Sequence, residues 1–95
     1  MKTTKSNNCS EFVDISSYTS NYYTTPCNGY AFISCNDTTG RIIEIHSANS
    51  TNTNYAWCKV ANDQAQIVYC PKGVRLKTGG STTGAARFYK FNSYS

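Results

Sequence analysis

Five cysteines and a single histidine are the residues of this 95-residue chain best suited to chemistry. A thiolate beside an imidazole makes a covalent nucleophile, so His46 with one of Cys9, Cys27, Cys35, Cys58 or Cys70 is the first candidate. The spacing does not favour it. No two cysteines form Cys-x-x-Cys, and one histidine leaves a zinc site short of ligands. Five cysteines in so small a chain suggest an oxidised framework of two bridges and one leftover thiol, and so an extracellular or cell-surface location. The acids Glu11, Asp14, Asp37, Glu44 and Asp63 are scattered, and Asp37 and Asp63 sit in turn sequences. Glu44 and His46 share one face of a strand and are the one local acid–base pair, although a polar cross-strand patch accounts for them better. The expectation is a protein that is not an enzyme, with no cofactor and no metal.

Recognition chemistry is better represented. A sugar site needs an aromatic face for the apolar side of the ring, and amides, hydroxyls and a few charges for its hydroxyls. Ser, Thr and Asn fill 33 positions beside eight Tyr and one Trp, so neutral hydrogen-bonding groups dominate the surface chemistry. Loops at one end of a sandwich carry recognition while strands carry packing, which selects the loops 49–57 and 78–87. There Tyr55 or Trp57 is the expected stacking platform. Asn52, Asn54 and Arg87 are the expected hydrogen-bonding groups, with His46 and Glu44 at the edge. Trp57 has an opposing role, since the one Trp of a small domain often anchors its core.

The net charge of +4 is uneven: residues 1–48 sum to −1 and residues 49–95 to +5. A basic half faces phosphate, sulfate or acidic sugar, or is strand edge where lysines block sheet-to-sheet pairing. Arg87-Phe88-Tyr89-Lys90-Phe91 interleaves bases and aromatics as single-strand nucleic-acid binders do. The cysteine usage argues against that partner. No apolar run reaches the ~18 residues of a membrane-spanning helix.

Strands must position these groups. Residues 1–10 are polar and expected to be a flexible segment, leaving 11–95 as one all-β recognition domain. Residues 11–15 alternate, with Phe12 and Asp14 opposite Val13 and Ile15, and 16–26 is a loop. Ala31-Phe32-Ile33-Ser34-Cys35, a turn ending at Gly40, and Arg41-Ile42-Ile43-Glu44-Ile45 make one unit. Ala65 to Cys70, Pro71-Lys72-Gly73 and Val74 to Lys77 repeat it. Each unit predicts a disulfide-anchored hairpin, and hairpins over 29–47 and 55–70 dominate the expected fold. No stretch of ten residues or so shows a helical period. The fold class is therefore all-β: a small disulfide-stapled β-sandwich or compact barrel of about six short strands. Ile33, Ile43, Ile45, Ala56, Cys58, Val60, Val68 and Val74 are the expected core. Equivalent positions in the repeat suggest a Cys35–Cys70 bridge.

Residues 27–58 resemble the sea-urchin-egg type galactose/rhamnose-binding lectin domain. The carriers are Cys27-Asn28-Gly29-Tyr30, Cys35, Ile43-x-Ile45, Ser47-Ala48-Asn49 and Cys58. The resemblance implies a Cys27–Cys58 bridge and a galactose- or rhamnose-containing ligand. It does not carry a sugar site residue by residue: Ser50-Thr51-Asn52 replaces the family's Tyr-Gly-Arg, and His46 stands where an acid is common. Cys70-Pro71-Lys72-Gly73 followed by Gly79-Gly80 is similar to stretches in bacterial pilus-tip and tail-fibre-tip domains. Both likenesses imply a lectin or adhesin module, with a surface glycan such as lipopolysaccharide as partner and a homo-oligomer or longer parent chain as setting. Met1 to Asn8 has no apolar signal region, as expected of a mature or excised domain. The rivals are a structural or assembly module of an extracellular filament, a small secreted effector that binds a protein, and a single-strand nucleic-acid binder.

Overall fold

A computed structural model describes residues 11–47 and 55–91. It contains eight strands: β1 (Phe12–Asp14), β2 (Tyr23–Thr24), β3 (Gly29–Cys35), β4 (Arg41–His46), β5 (Tyr55–Val60), β6 (Gln64–Cys70), β7 (Arg75–Gly80) and β8 (Ala86–Lys90). They form two antiparallel sheets, a front sheet in the order β1-β8-β3-β6 and a back sheet in the order β2-β7-β4-β5. Every connection except β4–β5 passes from one sheet to the other, which is jelly-roll topology. The expected all-β class is what the chain adopts, with β2 an unforeseen strand inside the 16–26 loop.

Alternation places the core. In β3 the odd positions Gly29, Ala31, Ile33 and Cys35 are buried while Tyr30, Phe32 and Ser34 are half-buried on the other face. Ile43 of β4, Leu76 of β7 and Phe88 of β8 meet them between the sheets, all fully buried. Gly29 is required where it stands, because a Cβ there would lie 2.5 Å from the Phe88 ring and against the Tyr89 carbonyl. Of the expected core, Ile33, Ile43 and Val60 are buried, and Ile45, Cys58 and Val74 pack against it. Val68 is half-buried and Ala56 exposed. Both lie on the outermost strands β6 and β5, which the opposite sheet covers less completely.

The two repeated units are arches, not hairpins. β3 pairs with β6 and β8, and β4 pairs with β5 and β7, so the turn 36–40 carries the chain across the sandwich. The 61–64 turn does the same between β5 and β6, and 71–74 between β6 and β7. An arch has the same local composition as a hairpin loop. It wins here because its two strands then bury their apolar faces against each other, as Ile33 and Ile43 do. Asn62 and Asp63 take positive φ of 57° and 67°, which their short polar side chains tolerate. Their amides donate to the Asp37 and Cys35 carbonyls at 2.8 and 2.9 Å, so the second arch rests on the first.

Asp37 locks that first arch. Its Oδ1 accepts from the Thr39 and Gly40 amides at 3.1 and 3.2 Å and from the Cys35 thiol at 3.2 Å, and its Oδ2 accepts from the Ser81 hydroxyl. These donors, Ser81 first and Cys35 next, lower its pKa from 3.8 to about 2. A depressed carboxylate stabilises the fold fully above its unfolded value. That stabilisation fades as pH falls from about 4 toward about 2. Asp37→Asn is expected to flatten the loss of stability over this window, read as the urea midpoint at about pH 7 against about pH 3. An unchanged acid slope in the variant would show that Asp37 does not act this way.

The disulfide expectations are corrected. Cys27, Cys35, Cys58 and Cys70 all carry free thiols. Cys35 lies opposite Gln64, and Cys70 opposite Gly29, so the two sit at opposite ends of the β3–β6 pair. Six rows at ~3.3 Å separate them by roughly 20 Å, against the ~7 Å limit between Cα atoms of a bridge. Cys27 and Cys58, which the lectin likeness would join, are half-buried and unbridged. These cysteines act as small hydrophobes of the core. Burial pushes the Cys58 thiol up and raises that of Cys70 to about 11, which keeps it protonated and inert. Cys35 and Cys70 are expected to resist alkylation in the folded protein and to react after denaturation without reductant. Loss of a hydrogen pair in the unreduced mass would instead reveal a bridge. Cys9 lies outside the described residues.

Candidate functional site

The outer face of the back sheet gathers groups from three strands. Glu44 of β4 lies between Trp57 of β5 and Lys77 of β7, and Ile42 lies between Lys59 and Gly79. Directly opposite residues in paired strands point to one face, so these six share it. Gly79 contributes no side chain beside Ile42, which leaves the surface low there. Ile42, Glu44, Trp57 and Lys59 line an open groove of about 320 Å³. Trp57 is 57% exposed, and none of the ring pairs among the described residues includes it. It is a surface residue and not the core anchor.

A polar clasp fixes the groove's far wall. His46 Nε2 and Glu44 Oε1 are 2.9 Å apart, with His46 almost buried. Tyr22, from the β1–β2 connection, sets its ring edge-on to His46 at 4.9 Å. The Arg75 guanidinium stands 4.7 Å and the Lys77 ammonium 5.5 Å from the Tyr22 ring centre, both within cation–π range. Arg75 also donates to the Ser47 carbonyl through two nitrogens at 3.2 and 3.0 Å. The carboxylate of Glu44 is thereby held beside Trp57, on a face that also carries three cations, Lys59, Arg75 and Lys77. Among the described residues no group of three His, Cys, Asp or Glu could hold a metal.

The expected site residues divide. Trp57, Glu44 and His46 come together on this face. Tyr55 pairs in register with His46. Asn52 and Asn54 lie outside the described residues. Arg87 is not brought to the others: it belongs to β8 of the front sheet, where it lies over the Phe12 ring at 4.4 Å and donates to the Tyr89 hydroxyl at 3.1 Å. The described strand ends that flank the two expected loops lie apart. The strand ends flanking 49–57 are His46 and Tyr55, whereas the one entering 78–87 lies beside Arg41, at the other end of β4. Ile42 and Lys59 were missed as neighbours of Trp57, Lys77 as the neighbour of Glu44, and Tyr22 as the neighbour of His46. The Ile42/Glu44 and Trp57/Lys59 alternation was the available signal, but it needed the β4–β5 register.

The front sheet also exposes aromatics, with a different presentation. Tyr30 and Tyr89 stack at 5.0 Å and 14°, and Tyr69 and Phe91 at 6.2 Å and 27°. These rings pack against one another in pairs, whereas Trp57 enters none of the ring pairs among the described residues. The chain matches no protein-family model, no curated protein and no solved structure.

Proposed function

We propose that this chain is a non-catalytic recognition module that binds carbohydrate on the outer face of its back sheet. The observation that carries this reading is Trp57, more than half exposed in a groove whose other walls are Ile42, Glu44 and Lys59. An indole face takes the apolar side of a sugar ring, while carboxylate and ammonium bond its hydroxyls. Lys59, Arg75 and Lys77 outnumber Glu44 on this face, which favours a glycan bearing acidic or phosphate groups, as lipopolysaccharide does. The Ser-, Thr- and Asn-rich surface suits an extracellular or cell-surface setting, where such glycans are displayed.

A glycan array holding neutral sugars, acidic sugars and bacterial lipopolysaccharides tests the reading. Binding is expected on acidic members, weakening as salt rises because exposed charges are screened within about 10 Å at 0.1 M. Silence across the array would leave the assembly-module and protein-effector readings in its place.

A further inference from the structure

We propose that the outer face of the front sheet is an interface, and that its occupant is further copies of this same chain. Register builds the face in two rows. Phe12, Tyr89, Tyr30 and Tyr69 run across all four strands in one, and Asp14, Arg87, Phe32 and Ile67 in the next. Ile67 and Tyr69 are 58% and 57% exposed, and Phe12 and Phe91 41% and 43%. At roughly 200 Å² per large side chain, these four alone leave about 400 Å² in water. Tyr30, Phe32 and Tyr89 add to it. That places the patch at the upper end of what a monomer leaves uncovered, ~300–600 Å². Two facing patches reach the ~1,000 Å² at which specific association begins.

Charge selects the occupant. Among the described strand residues the face carries one acid and one base, Asp14 and Arg87, which lie opposite each other in register and balance. A cationic or anionic partner finds no complementary field there. Copies of a +4 chain, however, repel in most orientations. Docking through this face turns Lys59, Arg75 and Lys77 of the back sheet away from the contact.

The edge of the same face points the same way. β6 is the outermost strand of the front sheet, seven residues long, with neither a charge nor a proline. Exposed edges are normally blunted by shortness, lysine or proline. The other three edges are: β1 has three residues, β2 two, and β5 carries Lys59. Among the described residues β6 alone has none of these protections, and it borders the most exposed part of the patch. Association here leaves every Trp57 groove facing outward, so weak single-site binding is multiplied by avidity.

Sedimentation velocity of the full chain from about 1 µM to about 1 mM, the range of weak to moderate affinities, reads the association directly. A discrete oligomer is expected, and Ile67→Lys and Tyr69→Lys are each expected to weaken it at least tenfold. Both side chains are more than half exposed, so both variants should keep the parent's urea midpoint. Thr24→Ala, on the back sheet, is expected to leave association unchanged. A monomer throughout the range, a heterodisperse aggregate, an oligomer insensitive to both lysines, or equal loss in all three variants would overturn the proposal.

Discussion

Phe88→Ala is expected to destabilise the fold by about 3–5 kcal/mol, a large part of the ~5–15 kcal/mol that a domain of this size has available. Phe88 is fully buried, its ring lies against the space left by Gly29, and Tyr23 of the back sheet approaches it at 5.8 Å. The residue thus joins β8, β3 and β2 across the sandwich. Collapse into the vacated space is limited, because ladders on both sides hold β8 between β1 and β3. Denaturant titration of variant and parent, compared at equal slope, measures the loss. A loss under about 1 kcal/mol would show that the sheets do not close on Phe88.

Trp57→Ala is expected to leave that stability nearly unchanged and to weaken glycan binding at least tenfold, or about 1.4 kcal/mol. The separation follows from placement. Trp57 is mostly in water before the ligand arrives, so its removal opens no cavity. Stacking and desolvation on the indole are worth about 0.5–1.5 kcal/mol beyond area, and the groove also loses its tallest wall. Isothermal titration with the array's best ligand gives the affinity. A variant that binds as tightly as the parent would move the site off this face. Arg87→Ala, on the opposite sheet, is expected to keep full affinity.

What the sequence made legible is the content of individual strands. The Gly29–Cys35 alternation is read correctly because period-two burial is local, and Phe12/Asp14 opposite Val13/Ile15 for the same reason. The arrangement of strands is not local. Asn36 to Gly40 has turn chemistry whether its strands return within a sheet or cross between sheets, and only the burial of Ile33 against Ile43 decides. That one ambiguity misassigned the pairing of β3 with β4, and with it the loops that meet at each end. Cysteine number was read as redox chemistry, whereas Cys35 and Cys70 occupy inward positions that any small apolar side chain fills.

The site was half legible for the same reason. Glu44 and His46 lie two apart on one strand and were visible as a pair. Trp57 joins them through the β4–β5 register, and Lys77 through β4–β7. Arg87 was placed in the site through the expected loop 78–87, and it also opens the basic-aromatic run Arg87-Phe88-Tyr89-Lys90-Phe91. In the fold that run splits, Phe88 into the core and Arg87 and Tyr89 onto the front face. The tyrosines of the front face are spread over β3, β6 and β8, so no window of sequence shows them as one surface.

Trp57 is the one tryptophan of the chain, so its fluorescence reports on the proposed sugar site alone. Titration of the parent with the lipopolysaccharide glycans that bind on the array should begin from the emission of a solvent-exposed indole. It should then shift saturably to shorter wavelength as the sugar ring covers the face. Emission already that of a buried indole, or a spectrum that stays unchanged while the glycan binds, would contradict the Trp57 groove as the recognition site.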